Sequence, residues 1–193
     1  MQDNNLKDQN AAKLNRRKFL TRAGVGLVVA SLPAKSVWAG SHGLAASIMA
    51  SGHGSDFAGG NKIRLCLPHD LSKFYSSQCK DSFYQSFGNK NPFISNVSNG
   101  NLRKLRKITF SQIFSNSKYA GVGDINVVLA TIYLNATLCS GNPNGTGIYY
   151  PIIGTGKAFS SKEALTAHLH REASRDAFNT AVVLKKFINN PNV

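Results

Sequence analysis

The chain has 193 residues, with 23 lysines and arginines against nine acidic residues, a formal net charge of +14. So few carboxylates disfavour glycosidase-type chemistry, which needs a pair of them, and the positive balance favours anionic partners. The charge is not confined to one end: residues 1–39 hold seven of the basic and two of the acidic residues, leaving 16 and seven in residues 40–193.

Residues 1–39 read as an export signal. Asn15-Arg16-Arg17-Lys18-Phe19-Leu20-Thr21 matches the twin-arginine pattern Ser/Thr-Arg-Arg-x-Phe-Leu-Lys at Arg16, Arg17, Phe19 and Leu20, and departs from it at both ends. The apolar run 23–32 carries Gly24 and Gly26 and stops at Pro33, far short of the ~20 apolar residues a membrane-spanning helix needs. Lys35 precedes Val37-Trp38-Ala39, whose small residues suit signal-peptidase cleavage after Ala39. A weak apolar core and a basic residue before the cleavage site disfavour the unfolded-chain translocon. The expected route is therefore the twin-arginine (Tat) translocase, which carries folded chains to the periplasm, the cell surface or the medium. A retained signal anchor and a basic N-terminus ahead of a buried helix are the alternatives.

Residues 40–61, with Ser51-Gly52-His53-Gly54-Ser55 and Gly59-Gly60-Asn61, read as a flexible glycine- and serine-rich segment. Residues 45–50 suit one helical turn. Residues 62–193 are expected to form a single mainly helical domain, small and loop-rich, with little sheet. Ile63, Leu65 and Leu67 alternate as in a short strand ending at Pro68. Leu71, Phe74 and Tyr75, then Phe83, Tyr84 and Phe87, recur at helical spacing. Residues 88–92 and 95–101 read as turns. Leu102, Leu105 and Ile108 punctuate a basic helix, and residues 110–114 suit a second turn.

The clearest helix spans residues 123–139, with Asp124 placed to cap it. Ile125, Val128, Leu129, Ile132, Tyr133 and Ala136 form one apolar face, which Val127 and Leu134 widen. Residues 140–145 end it in turn residues. Residues 149–153 suit an extended segment. Ser160 and Glu163 have capping-box spacing. A last helical region runs to about residue 189, lined by Leu165, Leu169, Ala173, Phe178, Ala181, Val182 and Leu184, with a bend near Ser174.

The three cysteines are Cys66, Cys79 and Cys139. An oxidising destination permits a disulfide, and Cys66–Cys79, nearest in sequence, would close a short loop worth roughly 3 kcal/mol. A Tat cargo folds beforehand in a reducing cytoplasm, so the core should form without that bridge. Cys66, His69, Asp70 and Cys79 are ligand types in the wrong spacing for a zinc site, so no metal is expected there. His168 and His170 would diverge by roughly 200° on a helix and read as solvated or first-turn histidines. Ser51, Ser55, His53, Asp56 and Cys139 supply nucleophile, base and acid types, yet no strand-to-helix elbow frames them. No phosphate loop or dinucleotide fingerprint is present, so neither catalytic residues nor a cofactor are assigned. Arg103, Lys104, Arg106 and Lys107 form the strongest electrostatic feature, a candidate anion-binding patch whose competing reading is a solvated face held down by Leu102, Leu105 and Ile108.

The layout resembles that of a loose group of uncharacterised bacterial proteins exported with a Tat signal. The resemblance rests on the twin-arginine segment, on Ser51-Gly52-His53-Gly54-Ser55, on Phe110-Ser111-Gln112-Ile113-Phe114 and on an apolar helix ending Leu134-Asn135-Ala136. It covers about half the chain. A Gly-Tyr-Trp-Lys-Asn-His-like segment found in many members is missing, and the one tryptophan is Trp38. The resemblance implies export and no particular activity.

These readings point to an exported non-catalytic binding or structural protein. The first alternative is an accessory small subunit of a Tat-exported redox enzyme; the next is a small metal-dependent or hydrolytic enzyme. The expected partners are the Tat translocase during export, then an anionic surface or a larger co-exported subunit. Nucleic acid is not expected.

Overall fold

The computed structural model describes residues 62–94, 102–139 and 147–191. The expected signal with Arg16, Arg17, Phe19, Leu20 and Ala39, the segment 40–61, and the turns read at 95–101 and 140–145 lie outside the described residues. The described part is mainly helical and forms one small domain without a sheet. Its helices are α1 (Pro68–Phe74), α2 (Phe83–Ser86), α3 (Leu102–Leu105), α4 (Phe110–Ser115), α5 (Ile125–Thr137), α6 (Lys162–Arg175) and α7 (Ala177–Asn189).

α5 is the axis of the domain, and α1, α4, α6 and α7 pack on it. Its expected apolar face is buried except for half-buried Val127. Also buried are Asn126, Ala130, Thr131, Leu134 and Asn135, which encloses the helix on most sides rather than along one stripe. Around Tyr133 the rings of Phe87 and Phe110 each lie 5.6 Å away, and Phe83 stacks on Phe87 at 4.1 Å. Burying rings of this size contributes about 2–3 kcal/mol each, and it fixes α2 and α4 against α5.

The two buried asparagines join α5 to segments that are not helical. Asn135 Oδ1 accepts from the Cys66 N–H at 2.7 Å, while its Nδ2 donates to the Cys66 and Thr131 carbonyls, each at 2.9 Å. Asn126 repeats the arrangement: Oδ1 accepts from the Phe93 N–H at 2.8 Å, and Nδ2 donates to the Phe93 carbonyl at 2.9 Å and that of Tyr119 at 2.8 Å. Each amide thus imitates a strand neighbour, using both N–H donors and one lone pair of its oxygen. Two and a half turns separate them, so they face about 180° apart on the helix.

The first clamp explains why residues 63–67 do not build the expected strand. Both backbone groups of Cys66 are engaged by a side chain, and only an isolated antiparallel bridge, Arg64 with Tyr149, survives beside it. The extended segment near 149–153 is real but equally short, closed by a parallel bridge between Ile153 and Phe159.

Three helix ends differ from the reading of the sequence. Asp124 stands before α5 but does not cap it, because its backbone is left-handed at φ 61°; its carboxylate instead pairs with Lys185 of α7. Ser161, not Ser160, caps α6, accepting from the Ala164 N–H at 3.2 Å. The last helical region breaks at Asp176 rather than bending at Ser174, because Asp176 accepts from the Asn179 N–H and starts α7. Phe178, expected in the core, is exposed: at 3.6 residues per turn it points about 120° away from buried Leu184.

Gly121 lets the Phe93 segment approach. Its φ is 74°, and a Cβ there would lie 2.4 Å from the Phe93 carbonyl oxygen that Asn126 holds. Gly121→Ala should therefore lower stability by about 2 kcal/mol through strain at a positive φ and displacement of that segment. Asn135→Ala strands the N–H and carbonyl of Cys66 and should lower stability by about 2–4 kcal/mol. Urea unfolding followed by circular dichroism measures both; a loss under about 1 kcal/mol for Asn135→Ala would show the clamp to be dispensable.

Candidate functional site

The cationic run sits on α3 and the turn after it. Leu105 and Ile108 are buried and hold the turn down, whereas Arg103, Lys104, Arg106 and Lys107 are exposed. Leu102, expected to help hold it, is 40% exposed and belongs to the outer surface instead. The turn is pinned at its far end: the Phe83 N–H donates to the Ile108 carbonyl at 2.9 Å, and Ser82 bridges Thr109. This pairing brings Tyr84 under the run, where the Arg106 guanidinium lies 5.1 Å from its ring centre. Ion pairs elsewhere engage Glu163, Glu172 and Asp124. None of the four cations has a carboxylate within ion-pair distance among the described residues.

The cysteines do not form the expected Cys66–Cys79 bridge; all three are thiols. Cys79 is buried with its Sγ directed at the Leu71 carbonyl, 3.5 Å away, while Cys66 is fixed through its backbone by Asn135. Burial pushes both thiols up in pKa, with the charges of Asp70 on Cys66 and Asp81 on Cys79 adding to it, so neither is an activated thiolate. Cys66, His69, Asp70 and Cys79 are not gathered into a metal site: no group of three or more histidine, cysteine or acidic side chains placed to hold an ion exists among the described residues. Cys139 is half-buried, and its Sγ accepts from the Tyr150 N–H at 3.2 Å. Ser51, His53, Ser55 and Asp56 lie outside the described residues.

The two α6 histidines diverge, as expected on a helix; neither lies in the first turn, and His170 is only half-buried. His168 is buried, its ring 5.5 Å from that of Phe159. Its Nδ1 lies 2.7 Å from Arg171 Nη2. A guanidinium only donates, so this nitrogen accepts and the imidazole is neutral. Burial first, and the Arg171 charge second, hold its pKa below 6.5. Glu172, also buried, answers Arg171 Nε at 3.3 Å and Arg175 Nη1 at 3.2 Å. His170 packs on Phe93 with ring centres 4.7 Å apart, and burial followed by the Lys90 charge lowers its pKa too. These contacts serve packing: His170 and Asn126 hold the Phe93 segment from two helices.

No family model matches the chain, and no curated protein or solved structure does either. The residues behind the sequence resemblance have structural work here. Asn135 of Leu134-Asn135-Ala136 is the Cys66 clamp, and Gln112 of the Phe110–Phe114 stretch completes a capping box with Thr109. The clamping role of Asn126 and Asn135 is not given by periodicity; an amide inside an unbroken apolar helix is the one signal of it in the sequence.

Protonating His168 sets a positive ring against Arg171. The unfolded chain therefore binds protons at His168 and His170 more readily than the folded one. Their contribution to stability is complete above pH 6.5 and lost as pH falls through that value toward the folded-state pKa values. The melting temperature should fall between about pH 7.5 and 5.5, and His168→Gln should flatten the slope. A melting temperature that rises on acidification across this window would contradict the assignment.

Proposed function

We propose that the protein is an exported, non-catalytic binding protein that docks on an anionic surface through Arg103, Lys104, Arg106 and Lys107. The observation that carries this reading is that all four cations are exposed on a pinned turn without an acidic neighbour in ion-pair reach among the described residues. A solvated helix face normally interleaves both signs; here like charges crowd together, and a surface of phosphates or carboxylates relieves the repulsion. Exposed Leu102 at the edge adds an apolar contact suited to a lipid interface. The twin-arginine segment supports delivery to the periplasm or cell surface.

A second reading, an accessory subunit of a Tat-exported redox enzyme, is favoured by Val122 and Phe178. They are 50% and 57% exposed, and a Cβ on intervening Gly123 would meet the Phe178 ring at 3.3 Å. A larger chain co-purifying at fixed stoichiometry is the result this reading requires.

Sedimentation with vesicles tests the first reading, using protein from the exported fraction. Vesicles rich in phosphatidylglycerol should retain it and neutral phosphatidylcholine vesicles should not, with binding weakening as salt is raised. Each cation near such a surface contributes about 1 kcal/mol, so replacing all four by glutamine should cost roughly 10²–10³-fold in affinity. Equal retention of the variant would sink the proposal. Lysine in place of Arg16 and Arg17 should leave the chain in the cytoplasm, and intact mass of the exported form should begin at Gly40.

A further inference from the structure

A cleft of about 670 Å³ lies at the C-terminal end of α5 and shares no residue with the cationic turn. That volume suits a small organic ligand. Its apolar walls are Tyr133, Leu134 and Leu138, from α5 and the residue after it, and Pro151 and Ile153 from the extended segment. Its polar lining includes Asp81, from the turn before α2, and Glu163, from the first turn of α6.

The charges of this cleft run against those of the molecule. In a chain of net charge +14, two carboxylates and a single cation, Lys162, line it. The Lys162 side chain is largely in water, and its Nζ is 4.0 Å from Glu163. Glu163 also takes hydrogen bonds from its own N–H and from Ser161, whereas Asp81 has no ion pair among the described residues; elsewhere Glu172 is engaged by Arg171 and Arg175, Asp124 by Lys185, and Asp176 by Asn179. The C-terminal end of a 13-residue helix adds its partial negative charge to the same space. At the opposite wall the N-terminal end of α6 is already answered, because Ser161 caps it and Glu163 stands in its first turn.

We propose that this cleft binds a small amphipathic cation, a primary amine on an apolar body. The ammonium sits at the Asp81 and Glu163 carboxylates, and the body lies against Tyr133, Leu138 and Ile153. This inference does not depend on the anionic-surface reading, since it uses other residues and a ligand of opposite charge.

Cys139 lines the cleft and reports on it. The test is alkylation of the full-length protein by iodoacetamide, with modification of Cys139 and Cys66 quantified separately by peptide mass. The probes are 2-phenylethylamine, neutral 2-phenylethanol and anionic phenylacetate. Saturable protection of Cys139 by the amine, with Cys66 unaffected, is the expected result. Asp81→Asn with Glu163→Gln should raise the protecting concentration roughly tenfold or more. Both positions are exposed, so the double variant should keep its fold, and the thermal melt of each sample verifies this. A protein this basic attracts anions nonspecifically, so preference for the amine is the decisive sign. Equal protection by amine and phenylacetate, protection of both cysteines alike, no protection, or an unchanged double variant would overturn the proposal.

Discussion

Asn126 and Asn135 each hold the backbone of a neighbouring segment with a side-chain amide that no water reaches. The rest of the domain is arranged around that constraint. A helix satisfies its own backbone, but an irregular segment beside a core must find partners for every N–H and carbonyl. Here the partners come from the core itself. Facing opposite ways from α5, the two amides fix the chain at Cys66 on one side and at Phe93 on the other. The helix can be buried over most of its length because its polar residues make the contacts that a sheet would otherwise supply. The arrangement is demanding: an amide left half-paired at zero exposure costs more than an apolar side chain would, so the Asn126 clamp and Gly121, which admits Phe93, stand or fall together.

Much of this was legible in the sequence where periodicity carries the information. The spacing of Ile125, Val128, Leu129 and Ile132 marks α5, and that of Leu165, Leu169 and Ala173 marks the buried side of α6. Alternation failed at Ile63, Leu65 and Leu67, because a period of two shows that a segment is extended but not who receives its hydrogen bonds. Asp124 failed as a cap for a related reason. Its residue type suits the position, but the adjoining Gly123 turn holds it in a left-handed conformation, and Lys185, distant in sequence, takes its carboxylate. Local preference names candidates and tertiary partners choose among them.

The sites divide in the same way. The cationic run is contiguous, so composition reveals it; its lack of acidic neighbours is a tertiary fact. The cleft was not legible at all, since it gathers residues from four separate stretches, each unremarkable alone. His168 shows the opposite error. A histidine among Thr166, Arg171 and Glu172 reads as surface, yet Phe159 arrives from outside the helix to cover it, and Arg171 and Glu172 shield it with their own pairing. The amphipathic arm of arginine makes this compatible with exposure, because its stem can cover a buried ring while its head stays in water.

The thiols bear on when the domain can fold. With Cys66, Cys79 and Cys139 all reduced, the domain still has a closed aromatic cluster, both amide clamps and an enclosed α5. Cys79 rests against a helix carbonyl, and Cys139 accepts a backbone N–H. Each sulfur is therefore used as a thiol. A disulfide stabilises mainly by restricting the unfolded chain, and that help comes too late for a chain that must fold before it leaves a reducing compartment. Polar side chains in the core act at once, in any redox environment. For a protein proposed to travel folded through the twin-arginine route, fastening irregular segments with asparagine rather than with cysteine is the arrangement that lets folding precede export.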